Sequence, residues 1–174
     1  ERLSGAELIE TLISCNDKYG TSNTLVITRS NKRANRFNQG IRNSVMFREE
    51  EITRGDLLIV AKNNYLWLSA IADNLSSSKG HDFIANGDIA EVVRVGRYTE
   101  MYGLRFAKVS LRFLEHADVD LDVPLMLSVL NSDFPKLTQQ DEQALYEAVA
   151  FDYSDITDKR KQVAALRQDP WLNA

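Results

Sequence analysis

Apolar residues in this chain keep three different rhythms, and that change of period restricts the fold more than any other feature. Up to about residue 54 they recur at helical spacing around one short apolar run. Between 55 and 124 they fall into short strands parted by turn residues, and after Pro135 helical spacing returns. The expected layout is α/β with a β insert, followed by C-terminal helices, over residues 1–54, 55–124 and 125–174.

In the first part, residues 6–16 are predicted helical, with Leu8, Ile9, Leu12, Ile13 and Cys15 clustered on one face. Ser4 or Gly5 would cap that helix and Gly20 would end it. Residues 24–28, Thr-Leu-Val-Ile-Thr, suit a short buried parallel strand. Ser30 or Asn31 then caps a second helix in which Ala34, Phe37, Ile41 and Val45 recur at helical spacing. Helix, strand and helix joined by polar turns is α/β grammar.

From Gly55-Asp56 onward the pattern predicts a strand over 57–62, a loop over 73–82, and a strand over 89–95 opened by Asn86-Gly87-Asp88. Residues 97–103 are expected to form a hairpin connection to a strand over 104–113. Apolar parity slips there, from Leu104 and Phe106 to Val109, Leu111 and Phe113, as a bulge near Phe106-Ala107 would make it do. Val119, Leu121 and Val123 alternate with Asp118, Asp120 and Asp122, which reads as a one-sided strand. Short strands with small turns predict a little β-barrel or curled sheet. Thr138 should cap a helix holding Ala144, Leu145, Ala148, Val149 and Tyr153, and a charged helix over 158–168 should stop at Pro170.

At 174 residues the chain is one domain, or one domain with a small insert, and needs no metal or disulfide to fold. Cys15 is the single cysteine, so an internal disulfide framework is excluded and a reducing, cytoplasmic setting is expected. No apolar run approaches the ~20 residues of a membrane span. The chain opens on Glu1 instead of methionine, which suggests a piece of something longer.

Charge is unevenly spread. Residues 18–112 carry fifteen bases and nine acids, whereas residues 115–174 carry five bases and twelve acids. A basic middle with an acidic tail fits either one face that meets a polyanion or an uneven solvated surface.

Several chemistries lack their residues. No two of the eight glycines stand five apart and none precedes lysine, so neither a P-loop nor a dinucleotide fingerprint is present. Two distant histidines and one cysteine make no zinc ligand set and give a catalytic triad no context. Asp118, Asp120 and Asp122 imitate the start of a calcium loop, but Val123 and Val129 stand where glycine and glutamate are needed. No metal site is expected.

Two polar patches remain. In Thr28-Arg29-Ser30-Asn31-Lys32-Arg33-Ala34-Asn35 an arginine at a strand end meets a helix N-terminus, a place that favours phosphate. In Lys62-Asn63-Asn64-Tyr65 with Trp67, set against Phe83-Ile84-Ala85-Asn86-Gly87-Asp88, a base, amides and aromatics suit a single strand of nucleic acid. Each also reads as a turn with a charged rim.

Taken together, the two patches resemble the C-terminal motor region of RecD-type superfamily 1 DNA helicases. Residues 26–35, continuing to Asn38-Gln39-Gly40-Ile41-Arg42, resemble helicase motif IV. Gly55-Asp56, Lys62-Asn63-Asn64-Tyr65 and Phe83-Ile84-Ala85-Asn86-Gly87-Asp88 resemble the motifs that introduce a small SH3-like β-barrel into the second RecA-like domain. The resemblance covers most of residues 4–113 and, more loosely, the helices beyond. It implies an ATP-dependent helicase or exonuclease subunit moving 5′→3′ on single-stranded DNA. ATP and magnesium would be held mainly by a first motor domain outside this stretch, with none expected on the stretch alone.

The same resemblance makes Arg29 the arginine that meets the nucleotide's terminal phosphate, with Lys32 or Arg33 beside it. Lys62, Asn63, Asn64, Tyr65 and Asn86 fall on the DNA side. Expected partners are single-stranded DNA, the first motor domain of the same chain and exonuclease-complex subunits, with no membrane. Walker motifs and the family's late Gln-Gly motif are not in these residues, and Asn64 stands where many relatives carry aspartate. The alternative is a stand-alone β-barrel module that binds a protein partner or RNA without ATP.

Overall fold

The computed structural model describes residues 5–20, 23–67, 84–114, 120–130, 132 and 136–174. The chain forms two compact units, residues 1–51 with 131–134, and residues 52–130 with 135–174. The C-terminal helices therefore fold with the sheet. Elements are mixed α and β, and no helix among the described residues is long and apolar enough to cross a membrane.

In the first unit, α1 runs Gly5–Tyr19, longer than its apolar stripe predicts. Gly20 ends it at φ +80, where its N–H reaches the Asn16 carbonyl at 2.8 Å and Asn23 Nδ2 donates to the Tyr19 carbonyl at 2.9 Å. Cys15 is half-buried, as are Leu12 and Ile13. The second helix, α2, spans Asn31–Gly40, and Ser30 caps it as expected, its Oγ accepting from the Arg33 amide at 3.3 Å. The helix continues into a π-helical turn over Ile41–Val45, keeping Phe37, Ile41 and Val45 half-buried.

Between α1 and α2 the expected parallel strand is not formed. Residues 24–28 have no sheet pairing, and Leu25 and Ile27 are 84% and 88% exposed. Exposure alternates along the segment, as it would along a strand. A strand exists only through the hydrogen bonds of its neighbours, and among the described residues of this unit no other extended segment lies alongside.

The second unit is built on a curled antiparallel sheet of four strands in the order β1-β2-β3-β4: Leu57–Ile59, Ile89–Met101, Leu104–Phe113 and Asp120–Met126. After β4 come a short α3 (Leu127–Leu130), then α4 (Gln139–Asp152) and α5 (Lys159–Arg167). Thr138 caps α4 by accepting from the Asp141 amide at 3.2 Å, and Asp158 caps α5 by accepting from the Arg160 amide at 2.9 Å.

Three details of the sheet differ from the pattern-based expectation. First, β1 is three residues long, because from Val60 onward the backbone bonds to a turn instead of a strand: Val60 N–H to the Asp88 carbonyl and Gly87 N–H to the Val60 carbonyl, both 2.9 Å. Second, β2 runs past Val95 to Met101, and the hairpin connection is the two-residue turn Tyr102-Gly103 with Met101 opposite Leu104. Both turn residues have positive φ, 55° and 72°, which matches the right-handed twist of the flanking strands.

Third, the bulges lie in β2 and not in β3 itself, the second of them across from Ala107, next to the expected place. Register shifts occur between Val92 and Arg94 and between Val95 and Tyr98, while β3 pairs with β4 without a break from Phe106–Met126 to Arg112–Asp120. A Cβ on Gly96, inside the second bulge, would lie 3.1 Å from the Lys108 carbonyl oxygen, so a side chain there would push the neighbouring strand back by a few tenths of an ångström.

The parity slip in β3 has another cause: the strand is buried on both faces. Ala107, Val109, Leu111 and Phe113 point into one cluster with Val92, Leu121, Val123, Ile52 and Ile84. Phe106 points the other way, into a second cluster with Met126, Leu145, Val149 and Leu166, where its ring meets Trp171 edge-on at 4.9 Å. Burying each of the larger of these side chains contributes about 1.5–3 kcal/mol. Leu121 and Val123 face inward from β4 while Asp120 and Asp122 face out, as the alternation predicts.

Candidate nucleic-acid interface

Residues 60–67 and 84–88 of the second unit form one hydrogen-bonded surface. Asn64 and Ile84 exchange both backbone bonds at 2.8 Å, and Asn63 Oδ1 accepts from the Asn86 amide at 2.8 Å. The Asn86-Gly87-Asp88 turn is closed by Asp88, whose Oδ2 accepts from the Ala85 amide at 2.7 Å, with Gly87 at φ +99. The two loop motifs singled out in the sequence therefore do meet. Phe83 and the 73–82 loop lie outside the described residues.

Within this surface the side chains divide by task. Asn64 is used as framework: its Oδ1 accepts from the Leu66 and Trp67 amides at 2.9 and 3.3 Å, and its Nδ2 donates to the Asn173 carbonyl at 3.1 Å. Trp67 packs its ring against the first core cluster and sends Nε1 to that same carbonyl at 3.0 Å. Lys62, Asn63 and Asn86 are exposed, and Tyr65 is 64% exposed. The result is a hydrogen-bonded rim carrying one cation, amides and an exposed aromatic side chain.

Arg29, Lys32 and Arg33 belong to the first unit. All three are exposed, Arg29 just before the cap residue Ser30 and the others in the first turn of α2, which holds no acidic residue. Cations at a helix N-terminus are suited to an anion. The strand that was expected to fix Arg29 is the unpaired segment described above.

The basic middle of the sequence is partly neutralised in space. On the outer face of the sheet, Arg94 Nη2 and Lys108 Nζ lie 3.3 and 3.8 Å from Asp122, and Arg112 Nε lies 2.7 Å from Asp120. Ser110, which is buried, donates its hydroxyl to Asp122 and holds that carboxyl below the usual range, with the Arg94 and Lys108 charges acting in the same sense and burial opposing them. The first strand of the acidic tail thus covers bases of the middle segment. Among the described residues no three His, Cys, Asp or Glu side chains gather in a way that could hold a metal ion.

One contributor to this surface is not signalled in the sequence. Asn173 acts through its backbone carbonyl, and its place beside residues 64–67 follows from tertiary packing over more than a hundred positions of chain. Comparison of the chain with protein-family models, with curated proteins and with solved structures finds no match.

Proposed function

We propose that this chain is a segment of an ATP-dependent DNA helicase of RecD type. In this reading the sheet unit is the small SH3-like barrel and grips single-stranded DNA, while the first unit is part of the second RecA-like motor domain. The observation that carries the proposal is the union of residues 62–65 with 84–88 into one braced rim, with Lys62, Tyr65 and Asn86 left facing solvent. A cation for phosphate and an aromatic face for a base are what sequence-tolerant binding of a single strand requires. Asn63 and Asn64 then serve the strand indirectly, by holding the rim in shape.

ATP, with magnesium, would supply the free energy of movement through phosphoryl transfer. Arg29, with Lys32 or Arg33 beside it, has the chemistry to neutralise a terminal phosphate, since a guanidinium can donate two parallel hydrogen bonds to it. Residues 24–28 fit the same reading. Their alternating exposure, with Leu25 and Ile27 uncovered, is that of a strand whose sheet partners lie elsewhere. A second reading, a module for a protein partner without ATP, is favoured by exposed Leu57, Ile59 and Ile89 on paired strands β1 and β2.

The test is binding of labelled oligo(dT) by the 174-residue chain across a salt titration. With the one phosphate that Lys62 can neutralise, log affinity should fall against log salt with a slope of about −0.7. Absence of binding at low salt, or binding indifferent to salt, overturns the DNA reading. Preference for oligo(rU) over oligo(dT) would move the proposal to RNA.

A further inference from the structure

We propose that residues 169–173 are a clamp for the 62–67 loop, and that the Asn173 carbonyl sets the orientation in which that loop presents Lys62 and Tyr65 to a single strand. The functional half of this rests on the nucleic-acid reading given above; the clamp itself is written in hydrogen bonds.

The Asn173 carbonyl accepts from Asn64 Nδ2 at 3.1 Å and from Trp67 Nε1 at 3.0 Å. Its two donors flank Tyr65 on the loop, so both lone pairs of one oxygen are spent on fixing the aromatic between them. That oxygen is itself held. Asn173 Nδ2 donates to the Asp169 carbonyl at 2.8 Å and to the Arg167 carbonyl at 3.1 Å.

Asp169, 4% exposed, anchors the turn from inside. Its Oδ1 accepts from the Trp171 and Leu172 amides at 2.8 and 3.0 Å, and its Oδ2 accepts from the Tyr153 hydroxyl at 3.0 Å. The Trp171 ring then meets Phe106 in the second core cluster. A continuous path of bonds and packing thus runs from α4 and β3 through the turn to the loop. Neither bond to the Asn173 carbonyl belongs to the sheet ladder, so cutting them should release the loop and leave the sheet folded. Asn173 is a positioning residue: it has no need to touch the strand.

Three variants test this. Asn173→Ala keeps the carbonyl but removes the side chain that anchors it, and Asn173→Asp keeps the shape but sets a carboxylate against the Arg167 and Asp169 carbonyls, so it should act in the same direction and at least as strongly. Trp67→Phe removes one bond at the loop side and also identifies the Trp67 indole signal, since the chain has two tryptophans. In both Asn173 variants the Trp67 indole N–H should exchange with solvent about 5- to 10-fold faster, the worth of roughly one hydrogen bond. Oligo(dT) affinity should fall by about 3- to 10-fold, again one bond's worth. The salt slope should stay as in the wild type because no phosphate contact is lost.

Unchanged indole exchange overturns the clamp whether or not the chain binds DNA. Faster exchange with undiminished affinity overturns the positioning role. Failure of the wild-type chain to bind oligo(dT) overturns the nucleic-acid reading and the positioning role with it, while the exchange rates still decide the clamp. Should the Asn173 variants fail to fold, Trp67→Phe carries the affinity test, with wild-type affinity as the overturning result.

Discussion

Asp56 and Asp88 make the same turn. Each carboxylate Oδ2 accepts from the amide three residues earlier, Thr53 at 2.8 Å and Ala85 at 2.7 Å, and each amide donates back to that residue's carbonyl at 3.1 Å. A glycine with positive φ precedes each, Gly55 at 82° and Gly87 at 99°. The two turns launch β1 and β2, whose Leu57–Glu91 and Ile59–Ile89 pairs then bring residues 60–64 alongside residues 84–88. A repeated local device therefore sets up the candidate rim.

The device predicts a backbone cost without a steric one. Nothing lies within 4 Å of the Cβ position at Gly87, so Gly87→Ala should lose only conformational energy, about 1–2 kcal/mol. Asp88→Ala should lose about 1 kcal/mol through the Ala85 amide bond. Urea unfolding of the two variants checks both numbers, and a neutral Gly87→Ala would show that the turn is free to adopt another geometry.

Alkaline pH should weaken the second core cluster. The Tyr102 hydroxyl donates to Asp152 at 2.6 Å, and burial, that bond and the Asp152 and Asp169 charges hold its pKa well above the usual value. The Tyr153 pKa is raised in the same sense, first by its bond to Asp169 and then by burial. A raised pKa means that the folded state holds the proton more tightly. The contribution is therefore whole below the unfolded value of about 10 and is lost as pH climbs through the raised value. Unfolding midpoints between pH 9 and 12 should fall in the wild type and less steeply in Tyr102→Phe. At neutral pH that variant should lose about 0.5–1.5 kcal/mol.

Acid works farther along the same face of the sheet, where Ser110 and Asp122 stand at even spacing from Phe106 and Met126. The lowered pKa of Asp122 contributes stability that is present above the unfolded carboxyl value of about 4 and is lost as pH falls through the lowered one. Ser110→Ala removes the largest cause of that shift, the hydroxyl bond, and should cost about 1–2 kcal/mol at neutral pH. Its acid limb should also be shallower. An acid limb identical to the wild type's would mean that Asp122 is held by Arg94 and Lys108 alone.

How far the sequence discloses this fold depends on whether the deciding interaction is local. Caps are local, and Ser30, Thr138 and Asp158 do what side chains of their type do at helix starts. The two Gly-Asp turns and the in-out alternation of β4 are local as well. The parity of β3 is not, because Phe106 is buried by α4, α5 and Trp171, which follow it by dozens of residues. Bulges in β2 are equally hidden, since an extra residue is defined only against the partner strand. Residues 24–28 carry a strand's composition with no partner among the described residues of their unit. For the candidate site the pattern shows which residues gather, but not that Asn64 is spent on Asn173 while Tyr65 is left largely exposed.

That division of labour separates two predictions at neighbouring positions. Tyr65 is 64% exposed, so Tyr65→Ala should leave thermal stability near that of the wild type while lowering oligo(dT) affinity by about 1–3 kcal/mol, the worth of a stacked base. Tyr65→Phe keeps the ring and should retain most of the affinity, because stacking needs the face and not the hydroxyl. Lys62 is exposed too, but its contribution is a charge. Lys62→Ala should weaken binding at low salt and make the salt slope shallower by about 0.7, one phosphate's share on a single strand, whereas Tyr65→Ala should leave the slope alone. Asn64→Ala reverses the order of effects: it strips the Leu66 and Trp67 amides of their acceptor and leaves the Asn173 carbonyl with the Trp67 indole alone, so stability falls first and affinity follows. Measured side by side, melting, affinity and salt slope give each residue its own signature. If Tyr65→Ala instead melts early and binds normally once folded, the tyrosine serves the fold, and the strand runs elsewhere on the rim.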